Sequence, residues 1–175
     1  MNFENLQIET TQLPNTSEVQ FTKLHPDFKM VRLLANLFFF LLLILAGILV
    51  ISFSGNLTNL SAWGIYCLTL LMYGIIAPVL IIKGFRRKGY ALRQRDILYK
   101  TGFIFFSQTV MPFNRIQHCE LSQGPIEKLY NLCRINIFTA GGDDSDLVIP
   151  GLEYAEGEKL RDFILGKVTT DNHDQ

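Results

Sequence analysis

The sequence predicts a mixed α/β membrane protein: a transmembrane helical hairpin carrying a small antiparallel β-barrel or sandwich, capped by a C-terminal helix. Three observations predict it. Two apolar runs of 21 residues, Leu33–Phe53 and Ala62–Ile82, contain no charge and are separated by eight uncharged residues. The segment Lys83–Arg95 that follows holds six basic residues and no acidic one. From Tyr90 onward the solid apolar pattern gives way to short alternating stretches with turn signals, and finally to one stretch of helical period.

The N-terminal segment, residues 1–31, is polar and interrupted by Pro14 and Pro26, and reads as a flexible tail on the cytoplasmic side. Within it, Val19–Leu24 alternates as a short strand would. Residues 32–82 form the hairpin. Hydrocarbon ~30 Å thick, crossed at ~1.5 Å per residue, needs ~20 apolar residues, and each run supplies them. The first has 16 residues of Leu, Ile, Phe or Val, with Asn36 and Ser52 near its ends. The second is less uniform. Trp63 and Tyr66 fall near one boundary, where amphipathic rings favour the headgroup region, and Pro78 predicts a mild kink. Ala46 and Gly47 in one helix, and Gly74 and Ala77 in the other, are small enough to permit close helix approach. The first run begins 32 residues in and exceeds the 7–15 apolar residues of a signal peptide, so it reads as an anchor.

Charge sets orientation and excludes one class of partner. Residues 1–32 hold three basic and four acidic side chains, a net −1. Residues 83–95 carry +6, whereas residues 96–175, with seven basic and twelve acidic side chains, carry −5. The loop between the runs has no Lys or Arg, so the positive-inside rule puts both termini in the cytoplasm. Positive charge forms a collar at the membrane rather than a face of the domain, which argues against nucleic-acid binding. Cys67, Cys119 and Cys133 have neither metal-site spacing nor the number for a disulfide framework.

Residues 83–95 read as a basic linker entering the first strand of a domain spanning 90–168, with a disordered tail at 169–175. Strands are expected over Tyr90–Tyr99, Phe103–Met111, Ile116–Leu121, Arg134–Thr139 and Leu147–Ile149. Lys100–Gly102 and Ala140–Asp146 carry hairpin-turn signals. Pro125–Leu132 reads as a helical turn ending at Asn131, a residue tolerant of positive φ. Leu160, Phe163, Ile164 and Val168 recur at helical spacing after Glu153, Glu156 and Glu158, with Lys167 near the end; this charge order suits the helix dipole. Such a helix would cover one face of a curved sheet, an arrangement of the pleckstrin-homology (PH) type.

Five segments carry a more specific likeness: Tyr90–Tyr99, Pro112–His118, Ser122–Pro125, Thr139–Gly142 and Ile149–Leu152. In order and spacing they resemble the bacterial PH domain of YdbS-like, membrane-flanked proteins, and Leu24-His-Pro26 ahead of the first helix is similar too. The likeness spans roughly residues 23–165; Asn131 stands where glycine is expected. It implies a bacterial inner-membrane protein with two membrane helices ahead of a PH-like domain, no established catalytic activity, and frequent pairing with a larger relative.

Candidate sites are few. His118 and Glu120 share a strand face, yet lack the third ligand or nucleophile that a metal or acid–base site needs, so a surface pair is the simpler reading. Asp143, Asp144 and Asp146 lack the glycine and distal glutamate of a calcium loop. Asn114 and Arg115 suit an anion or a turn with a salt bridge. The collar carries the energetic weight, since each Lys or Arg at an anionic leaflet contributes about 1 kcal/mol. Lys83, Arg86, Arg87, Lys88, Arg93 and Arg95 are therefore the expected lipid-headgroup contacts; the alternative, that they only enforce topology, accounts for the first four without a further role. The functional expectation is a non-enzymatic interaction module without cofactor or metal. It meets membrane lipids and assembles with itself or with a membrane-protein partner. The alternative is an accessory of an envelope export or toxic-peptide resistance system.

Overall fold

A computed structural model describes residues 19–53, 60–139 and 146–171. A two-residue strand, β1 (Thr22–Lys23), comes first, followed by two 26-residue helices, α1 (Phe28–Phe53) and α2 (Leu60–Phe85). Then come β2 (Gly89–Leu92), β3 (Asp96–Thr101), β4 (Ser107–Pro112), a 3-10 turn (Phe113–Arg115) and β5 (Ile116–Ser122). The short helix α3 (Pro125–Leu129), β6 (Leu132–Thr139), β7 (Leu147–Glu153) and the long helix α4 (Tyr154–Asp171) complete the described chain.

Helices α1 and α2 each span ~39 Å at 1.5 Å per residue, more than the hydrocarbon core requires. Nothing in their most apolar windows is buried within the protein, so these side chains need an apolar solvent from outside. The hairpin is joined by a few directed contacts. The Tyr66 hydroxyl reaches the carbonyl oxygens of Leu43 (2.9 Å) and Ile44 (3.0 Å), while Asn36 Nδ2 donates to the Tyr73 hydroxyl at 2.7 Å. Two of the small residues make room for side chains of the facing helix. A Cβ on Gly47 would sit 2.2 Å from the Tyr66 ring, and one on Gly74 would sit 3.5 Å from Phe40. Each glycine thus receives an aromatic ring from the other helix. Tyr66, expected at the headgroup boundary, is spent on this helix–helix contact.

The strands form two antiparallel sheets, β1-β2-β3-β4 and β5-β6-β7, which are not closed into a barrel. Helix α4 lies on the second sheet. Leu160 and Ile164 are buried there, and Gly157 permits the approach, since a Cβ would meet Cys133 Sγ at 2.4 Å. Phe163 packs edge-on to Phe113, with ring centroids 6.0 Å apart. Ile97, Leu132, Ile135, Ile137, Ile149 and Leu152 form the fully buried centre. Asn131 adopts φ 52° after α3, as its tolerance for that region allows.

Three expectations are corrected. The strand read over Tyr90–Tyr99 is a hairpin: Arg93 N–H donates to the Asp96 carbonyl (2.9 Å), and the Arg93 guanidinium grips the Asp96 carboxylate, closing a turn without glycine or proline. The strand read over Phe103–Met111 begins only at Ser107, because the chain turns later than Lys100–Gly102 suggests. Thr101 pairs with Ser107, leaving residues 102–106 as the loop. Finally, the irregular segment ends before Val31. Leu24, Phe28 and Val31 are buried in the domain core, and His25 N–H donates to the Gly151 carbonyl at 2.9 Å. Gly151 has φ 69°, and a Cβ there would lie 2.5 Å from Phe28 Cγ, so close packing and backbone both call for glycine. Because β1 pairs with β2, the membrane hairpin is an insertion within sheet β1–β4 rather than a stalk ahead of it. Residues 140–145 of the turn expected at Ala140–Asp146, residues 172–175 of the tail expected over 169–175, and residues 1–18 of the expected N-terminal tail lie outside the described residues.

Candidate membrane-interface site

The candidate site lies where the hairpin enters the domain. Helix α1 emerges from the core: Phe28 and Val31 are buried, and Arg32 follows on the first exposed turn. Helix α2 returns through Leu80 and Ile81 to Lys83 and Phe85, and the connector 86–88 leads directly into β2 at Gly89. These ends enclose two clefts that share Phe28, Arg32 and Lys88. One, of 220 Å³, lies between the helices against Leu80, Ile81 and Gly84. The other, of 330 Å³, opens toward Gly124–Glu127, Arg134 and Pro150.

The electrostatics of the shared wall are unbalanced. Burial holds the Lys88 ammonium below its ordinary pKa, and the nearby positive charge of Arg32 lowers it further. Among the described residues, neither side chain has a carboxylate within ion-pair distance. Lys88 Nζ rests instead 5.8 Å from the Phe28 ring centroid. On the far wall of the larger cleft, Glu127 is buried and fully engaged. Its Oε2 accepts from Arg134 at 2.7 and 3.1 Å and from Gly124 N–H at 2.7 Å. The half-buried Lys88 and the exposed Arg32, with no carboxylate at ion-pair distance among the described residues and at the level where the spans end, can hold a phosphate or carboxylate oxygen. They offer no nucleophile or acid–base pair.

The six residues singled out in the sequence divide here. Lys83, Arg87 and Lys88 converge on the junction, and Arg86 is exposed in the turn between them. Lys83 and Arg87 sit 5.6 and 5.3 Å from the Phe103 ring centroid, and Arg87 donates to the Phe103 carbonyl at 3.4 Å. Arg93 and Arg95 are not part of this group. They lie in the β2–β3 turn, ~13 Å along the strand from Gly89, and Arg93 is committed to Asp96 through two 2.6 Å bonds. Arg32, one of the three basic residues counted over 1–32, is the partner that sequence reading did not single out. It lies 56 positions from Lys88, and nothing local in the sequence joins the two.

The other candidates lie elsewhere. His118 Nε2 is 3.8 Å from Glu120 Oε1 on the exposed face of β5, and the imidazole stacks on Phe138 at 4.3 Å. Asn114 and Arg115 occupy the exposed 3-10 turn. The Asp146 carboxylate accepts from the backbone and hydroxyl of Thr139, and those bonds lower its pKa; Asp143 and Asp144 lie outside the described residues. Cys133 is buried, which pushes its thiol up to about 11 and leaves it a poor nucleophile.

Comparison with known proteins agrees with this architecture. The family model of the bacterial PH domain matches residues 31–168. The UPF0699 transmembrane protein YdbS of Bacillus subtilis (strain 168) is 37% identical over 105 residues, covering 58% of this chain and 64% of that relative. The chain therefore spans less than two thirds of the relative's length. No solved structure matches.

Proposed function

Because this chain belongs to the bacterial PH domain family, we propose that it is a non-catalytic, membrane-anchored interaction module. Its PH-like domain faces the cytoplasm at the inner membrane and assembles with a second copy or with a larger PH-like membrane protein. The observation that carries the reading is the continuity of α1. One helix runs from the domain core at Phe28 into the bilayer, so the domain is held at the membrane surface and meets only what is also there. Arg32 and Lys88 hold an anionic lipid headgroup in the junction clefts, and Lys83, Arg86 and Arg87 extend that contact along the surface. At about 1 kcal/mol per cation near an anionic leaflet, the group holds the domain's orientation more than its location, which the spans already fix.

Crosslinking in native membranes tests the assembly. A reproducible homo-oligomer or membrane-protein partner is expected, and a strictly monomeric chain would sink the proposal. Membrane-impermeant labelling of a cysteine placed at the exposed Arg86 tests the side: protection in intact cells is expected, and labelling from outside overturns the orientation.

A further inference from the structure

We propose that the β3–β4 loop is a second membrane contact, an apolar wedge that enters the headgroup layer beside the end of α2. The proposal rests on the two spans alone, not on the partner or the side of the membrane. Residues Gly102-Phe103-Ile104-Phe105-Phe106 contain no charge, and Ile104, Phe105 and Phe106 are 69%, 86% and 65% exposed. Three adjacent large apolar side chains at a loop tip have no role in the core. In a domain-forming segment whose net charge is −5, this is an uncharged patch beside two cations, Lys83 and Arg87.

What covers the tip follows from its attachment. Phe103 is fixed against the last turn of α2 and the residues beyond it: its ring lies under Lys83 and Arg87, its carbonyl accepts from Arg87, and its Cβ would be 3.8 Å from a Cβ on Gly84. Lys83 is the first charge after the apolar run that ends at Ile82, so it marks the hydrocarbon boundary. Phe105 follows Phe103 by two residues and so stays within ~7 Å of it along the backbone. The headgroup layer is itself ~5–8 Å deep on each side of the hydrocarbon. The tip is therefore within reach of the depth at which apolar rings leave water and the neighbouring ammonium and guanidinium groups meet phosphates. The loop is also shaped for this position. Gly102 has φ 110°, and a Cβ there would lie 1.7 Å from the Phe105 carbonyl oxygen, so the turn is tight and presents the rings outward instead of folding them onto the sheet.

The test places a reporter at the tip of the full-length protein in phospholipid vesicles. Phe105→Trp is made in a Trp63→Phe background, with Phe106→Trp as an independent second reporter; both positions are exposed, so neither perturbs the core. Blue-shifted emission is expected, with loss of most of the intensity when the vesicles contain lipids brominated at shallow acyl positions and a smaller loss when the bromines lie deeper. Water-like emission, quenched by acrylamide and insensitive to bromine, overturns the proposal. Blue-shifted emission that is insensitive to bromine and reverts when the protein is diluted with lipid also overturns it, by making the loop an interface between copies.

Discussion

The hairpin and the sheet domain use the same apolar residue types in opposite ways. In the domain, Ile97, Leu98, Ile135, Ile137 and Ile149 are completely buried, and the fold is held by their removal from water. In the hairpin, Leu, Ile and Phe side chains lie outside, and the helices meet through polar groups and fitted rings: Tyr66 against α1 carbonyls and Gly47, Asn36 against Tyr73. Lipid tails are as apolar as leucine, so burial drives nothing between the helices and directed contacts must do so. Phe28 and Lys88 stand at the seam between these two solvents.

Perturbing each side with a like-sized change separates the two regimes. The largest effect is expected from Phe28→Ala, which empties a buried site shared by α1 and Gly151. A loss of about 3–5 kcal/mol, read as a lowered urea midpoint of the sheet domain in micelles, is expected for a core aromatic; an unchanged midpoint would mean that the helix is merely appended to the domain. In the hairpin, Asn36→Leu removes the bond to Tyr73 and should cost only ~0.6 kcal/mol of helix–helix association, the average for such bonds in membranes. A cost as large as that of Phe28→Ala would erase the distinction.

The smallest effect lies at the seam and depends on pH. The folded state lowers the Lys88 pKa, so the unfolded chain binds more protons in the window between the lowered value and the ordinary one. Stability therefore rises with pH through that window, and the penalty is fully present below it. Lys88→Met in zwitterionic micelles should flatten this alkaline rise in the urea midpoint, and anionic lipid should flatten it in the wild type by restoring the ammonium. An identical pH profile for wild type and variant would show that the junction does not desolvate this charge.

Much of this was legible from the sequence, for reasons that differ by region. The two spans are long uncharged runs that no competing signal obscures, and β5, β6, β7 and α4 follow their periodicity closely. Asn131 was readable because a single φ requirement limits the choice of residue. What escaped was set by tertiary contact. The Arg93–Asp96 turn lacks any breaker and is closed by an ion pair. Phe103–Phe106 has strand composition, and four consecutive apolar residues carry no alternation to show that they form a loop. Strand β1 is two residues long and is defined only by its pairing with a segment beyond the hairpin. The Arg32–Lys88 pairing is likewise a product of the fold, whereas the basic run that contains Lys88 was plain.

That pairing of Thr22 with Tyr90 and Lys23 with Gly89 also imposes an order on biosynthesis. The strand emerges from the ribosome first, and its partner follows only after both helices have been made. The sheet can be completed only if the two helices have delivered their outer ends to the same side of the bilayer. A chain that inserts one helix leaves β1 stranded across the membrane, without its neighbour and with the core missing Leu24 and Phe28. Completion of the domain thus depends on the topology of its own anchor, and a misinserted copy keeps β2 as an open sheet edge.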